Sequence, residues 1–145
     1  MSDLLTTNES VNDTLANNGF WPDLSLVEFK AIARSDGTVE DHKLVFDMQT
    51  AVLKVNDQLK GYQSEQILAG VVTVENVDIV HHYKRAVYET TKAFLLETYR
   101  DLDTRKEGHD RADQHTLRID SSYANATIAV NTILGDPDRM RVYSL

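Results

Sequence analysis

The chain has no cysteine among its 145 residues, which rules out disulfides, thiolate zinc sites and cysteine nucleophiles together. Proline occurs twice and glycine six times, each glycine standing alone, so a glycine-rich phosphate loop is absent. No GxSxG elbow, HExxH helix or EF-hand loop is present either. No apolar run approaches the roughly 18 residues that cross a bilayer. Basic residues are also scarce: 15 Lys and Arg against 23 Asp and Glu leave a net charge of -8. A surface of that sign repels phosphate and disfavours sequence-specific DNA or RNA binding.

What the chain does contain is helical periodicity. Ile79, Tyr83, Ala86, Val87, Thr90, Phe94, Thr98 and Tyr99 recur three or four apart. They predict a helix from about Asp78 to Leu102. Ala112, Ile119, Tyr123, Ala126, Val130 and Ile133 predict another from about Gly108 to Leu134, closed by Gly135 and Pro137. Such spacing gathers apolar side chains on one helix face, which must be buried.

Upstream, Ser25-Leu26-Val27-Glu28 reads as a capping box that opens a short helix to about Arg34. Thr38 caps a long second helix whose buried face is Leu44, Val45, Met48, Val52, Val55, Leu59 and Tyr62, and which Gly61 need not stop before Gly70. Val71 to Val74 is β-prone but short, hence a linker or an edge segment. The expected fold is all-α: an antiparallel helical bundle with two long C-terminal helices, a long second helix and a short first one. Residues 1–19, polar and acidic and unlike a signal peptide, read as a flexible N-terminal arm. Residues 20–138 form the helical domain. The tail, 139–145, alternates basic or polar with apolar residues, a strand-like period available to another subunit.

Candidate contact residues lie at both ends. Phe20 and Trp21 either close the core or anchor a neighbouring protein. Arg139, Arg141, Val142 and Tyr143 belong to the alternating tail. The one cluster with ligand chemistry is Glu107, His109, Asp110, Asp113 and His115. His109 and Asp113, four apart, share a helix face, but His115 points away, and a solvated acidic helix start accounts for the group more simply. His81 and His82 diverge by about 100° on a helix and cannot chelate together. Arg85, Arg100, Glu97 and Asp103 suit interhelical or intersubunit ion pairs. No catalytic residue, metal site or cofactor is expected.

Taken in order, certain segments carry a resemblance: Phe20-Trp21-Pro22-Asp23-Leu24, Tyr83-Lys84-Arg85-Ala86-Val87, Leu95 to Asp103, Ala112-Asp113, and the Gly135–Pro137 turn with the tail through Val142. Together they resemble the head completion proteins of contractile-tailed bacteriophages, the phage gene L product family. Residues 63–76 depart most from that pattern. The resemblance implies a structural virion protein at the head–tail junction, assembled in the host cytoplasm, with no enzymatic role. It implies a connector subunit that binds the portal after DNA packaging, stabilises the filled head and offers the tail a docking surface. Its partners would be the portal, other copies in a ring (about twelve, by portal symmetry) and a tail-side connector or terminator. Packaged DNA would pass nearby without sequence-specific binding. The alternative reading from the residues is a small helical metal-binding protein or enzyme using Glu107, His109 and Asp113.

Overall fold

The computed structural model describes residues 13–33, 40–106 and 109–135, with side chains described outside 103–112. Among the described residues the chain is mainly helical with one small sheet. Strand β1 (Thr14–Leu15) pairs antiparallel with β2 (Leu24–Ser25), Thr14 opposite Ser25 and Leu15 opposite Leu24. Helices α1 (Leu26–Ala33), α2 (Asp41–Gln58), α3 (Lys60–Leu68), α4 (Val77–Lys106) and α5 (His109–Leu134) follow.

The sheet is a small addition to the mainly-α fold expected, and within the segment read as an arm residues 13–19 contact the rest of the chain. Polar side chains fix them. Asn18 Oδ1 accepts the backbone N–H groups of Phe20 and Trp21 at 3.1 and 3.0 Å, a local turn that short amide side chains favour. Asn17 is tied to two helices at once. Its Nδ2 donates to the Tyr83 hydroxyl (2.8 Å), that hydroxyl donates to Asn56 Oδ1 (2.5 Å), and Asn56 Nδ2 donates back to Asn17 Oδ1 (3.1 Å). This closed ring of three hydrogen bonds joins the N-terminal loop to α2 and α4.

The same segment starts α1. The Asp13 carbonyl accepts the N–H of Leu26 (2.9 Å), and its carboxylate accepts the N–H of Val27 (2.6 Å) and the hydroxyl of Ser25 (2.9 Å). The two N–H groups are helix N-terminal donors with no partner inside the helix. The expected capping box is half formed: Ser25 Oγ accepts the N–H of Glu28 at 3.0 Å, but Glu28 does not return to the N–H of Ser25.

The long second helix is two helices. It breaks at Leu59, whose backbone turns to φ -105°, ψ 9°. Leu59 is buried and Tyr62 is packed against the core on the far side of the break, so the apolar pattern continues across it. Thr38, its expected cap, lies outside the described residues; Glu40 occupies the cap position and makes no side-chain cap bond. Gly70, at φ +96°, ends α3 in a conformation that L side chains rarely adopt. Val71 to Val74 forms no strand, although the Val74 N–H donates to the Phe20 carbonyl at 3.0 Å. Asn76 Oδ1 caps α4 through the N–H groups of Asp78 and Ile79, 2.9 and 3.1 Å away. At the other end Gly135, φ +66°, closes α5 with its N–H on the Asn131 carbonyl.

Helices α4 and α5 form the body. Contacts that rise along one fall along the other: Glu89 with Asn125, Glu97 with Tyr123, Tyr99 with His115. The main core joins Trp21, Leu24 and Phe29 to Leu44, Met48 and Val55 of α2, Tyr83 and Val87 of α4, and Val130 and Ile133 of α5. A second, smaller cluster lies further along the hairpin. Ala93, Leu96 and Ile119, with Tyr99 and Tyr123, come from α4 and α5 alone.

Candidate docking groove

Between α1 and α4 runs a groove of about 440 Å³. Its floor is apolar, made by Phe29, Ile32 and Ala33 of α1, and Ile32 is 63% exposed. Its α4 wall is charged. His81, Arg85, Tyr88 and Lys92 follow one another at helical spacing, with Lys84 and Glu89 beside them. In a chain of net charge -8, this is a local concentration of cations.

Tyr88 holds the groove's end together. Its hydroxyl accepts the N–H of Ser25 at 3.1 Å and donates to Glu28 Oε1 at 2.7 Å. The phenol therefore stands between the two residues that would have closed the capping box, serving each in turn. Lys84 Nζ lies 3.3 Å from the same Glu28 oxygen. The Tyr88 hydrogen bond, helped by Lys84, holds the Glu28 carboxyl below its usual range against the opposing effect of burial. Burial pushes the Tyr88 phenol above its ordinary value, so it stays protonated and able to donate. Lys84 is thus engaged with Glu28, and Glu89 accepts a hydrogen bond from Asn125 (3.1 Å). Arg85 and Lys92 make no ion pair among the described residues and remain open to a ligand carboxylate.

The candidate contacts read from sequence fare differently. Phe20 and Trp21 are 3% and 2% exposed and sit in the core, as the first of the two roles expected for them requires. Their rings meet edge to face, and Trp21 stacks between Tyr62 and Tyr83. Packing inside the chain takes up the aromatic surface that an interface would need. Arg139, Arg141, Val142 and Tyr143 lie outside the described residues.

Of the ligand-type cluster, Glu107 also lies outside the described residues, His109 opens α5, and Asp113 is exposed. His115 faces the Tyr99 ring, centroids 6.4 Å apart. Among the described residues no group of three His, Asp or Glu side chains is placed to hold a metal ion. His81 is exposed and His82 half-buried, their rings edge to face. Glu97 accepts the Tyr123 hydroxyl, while Arg100 lies 3.7 Å from Asp101. The groove itself was not visible in the sequence. His81, Arg85 and Lys92 show a helical period, but only the packing of α1 beside them makes a concavity.

A family model described as phage head completion protein (GPL) matches residues 15–143. No curated protein and no solved structure gives a significant match. No helix among the described residues is long and apolar enough to cross a membrane.

Proposed function

Because the chain belongs to the phage head completion protein (GPL) family, and is therefore a structural component of the phage virion, we propose that it is a connector subunit. It binds the portal once DNA is packaged, stabilises the filled head and presents the surface on which the tail docks. The observation that carries this reading is the family match across 129 of the 145 residues, positions 15–143. Two features support it. The long α4–α5 hairpin gives every copy the same frame, and copies of one frame set around a portal close into a ring through heterologous contacts. The acidic surplus keeps polar helix faces from holding DNA that moves past them. The tail residues Arg139, Arg141, Val142 and Tyr143 are the proposed reach toward the portal or the next subunit.

Electron microscopy of the protein mixed with portal rings tests the proposal. The expected result is an added ring of density on one end of the portal. Portal particles that remain bare at saturating protein overturn it.

A further inference from the structure

The α1–α4 groove has its chemical complement on the outer face of α5. Leu117 is 72% exposed there, with exposed Asp113 one turn before it and exposed Asp120 one turn after it. Neither aspartate makes an ion pair among the described residues. Arg118 is next in sequence but is turned about 100° around the helix. The groove presents the opposite arrangement: Ile32 and Phe29 form an apolar floor beside the cations Arg85 and Lys92.

The spacings agree as well. Arg85 and Lys92 are seven residues apart on α4, and Asp113 and Asp120 are seven apart on α5. Both pairs therefore span two turns, about 10 Å, along one helix face. We infer that the α1–α4 groove of one copy of this chain receives the Asp113–Leu117–Asp120 face of a second copy. Leu117 covers Ile32, and the two aspartates meet Arg85 and Lys92.

One chain cannot make this contact with itself. Leu96 packs in one cluster with Ile119, and Tyr99 faces His115. Leu117 is thereby held level with that part of α4, beyond the groove wall that ends at Lys92. The two patches are different surfaces, so the contact is heterologous and can propagate around a ring. Copies of net charge -8 repel one another at most orientations. A basic groove facing an acidic ridge selects the orientation in which they meet. This inference rests on the reading of the chain as an assembly subunit.

The absence of cysteine makes a clean test. Ile32→Cys and Leu117→Cys, both at exposed positions, are prepared as full chains of distinguishable mass, checked by thermal melting, and oxidised alone and mixed, with and without portal rings. The expected result is a mixed disulfide dimer, with each variant alone giving roughly tenfold less. Adding Arg85→Glu and Lys92→Glu to the groove variant should reduce the mixed product by roughly tenfold, and adding Asp113→Lys and Asp120→Lys to its partner should restore it. Equal yields from the mixture and the single variants, or no restoration by the charge swap, overturn the interface. Unmodified protein that rings the portal without any mixed disulfide defeats the interface and keeps the connector reading. A mixed disulfide from protein that leaves the portal bare does the reverse.

Discussion

The indole of Trp21 lies flat against the phenol ring of Tyr83, centroids 4.5 Å apart and planes 9° from parallel. That contact fastens the N-terminal loop to the middle of the molecule. Trp21→Ala should cost about 3–5 kcal/mol, the range for emptying an aromatic site in a core. Urea unfolding measures it. A loss within about 0.5 kcal/mol, the range of ordinary surface substitutions, would mean the residue is not core.

Tyr88→Phe keeps the ring and removes the hydroxyl shared by Ser25 and Glu28. The N–H of Ser25 then loses its partner, at about 1–3 kcal/mol. The Glu28 carboxyl, now held below its ordinary value of 4.5, should titrate closer to that value, as read by NMR. A carboxylate depressed in the folded state contributes stability above its unfolded value, and the contribution fades as pH falls through the folded one. The wild-type chain should therefore lose more stability than Tyr88→Phe as pH drops below 4.5. Matching acid profiles would show that the hydroxyl does not tune Glu28.

The alkaline side behaves in the opposite sense. Burial, first among the causes, raises the phenols of Tyr83, Tyr88 and Tyr123 above their ordinary value of 10. Groups raised in the folded state contribute stability that is full below the unfolded value and lost as pH rises past it. Melting temperature should decline above pH 10, and tyrosinate absorbance from these three should appear together with unfolding. Ionisation of all three in a fully folded chain would contradict the burial described.

Two glycines should respond with opposite signs. Gly61 lies within α3 with nothing within 4 Å of an added Cβ, so Gly61→Ala should stabilise the chain by about 0.5–1 kcal/mol. Gly70 has equal space but φ +96°, and Gly70→Ala should destabilise by about 1–2 kcal/mol. Thermal melts of the pair suffice. The same sign for both would remove backbone conformation as the cause.

Removal of residues 139–145 should leave the melting temperature unchanged and weaken portal binding, measured by co-sedimentation with portal rings. Undiminished binding excludes the tail as a contact.

The two long helices could be read from sequence because their buried faces are continuous: Ile79 through Tyr99 and Ile119 through Ile133 repeat at the helical period. The observed limits, 77–106 and 109–134, differ from the expected ones by a few residues at the hairpin end. The break at Leu59 was hidden for the same reason, since Leu59 and Tyr62 face inward on both sides of it. Long-range polar contacts leave no periodic trace. Nothing in Asn17 or Asp13 announces partners on α2, α4 or α1, so the segment 13–19 reads as a polar arm until the fold brings those partners to it. Trp21 illustrates the limit of residue type alone, because a large aromatic suits an interface and a core equally. Ser25 and Glu28 satisfied the capping-box pattern, yet the pattern cannot foresee that Tyr88, sixty residues from Glu28, would occupy the space between them.

The small cluster of Ala93, Leu96 and Ile119, supplied by α4 and α5 alone, gives the hairpin an uneven energy along its length. Near Tyr83 and Val130 the pair is packed into the main core, whereas the smaller cluster draws its buried residues from these two helices alone. Amide hydrogen exchange should accordingly accelerate from residue 90 toward 106 and slow again from 109 toward 130. A subunit built this way has a firm root and a compliant tip, so neighbouring copies can absorb small mismatches by flexing the tip without disturbing the core.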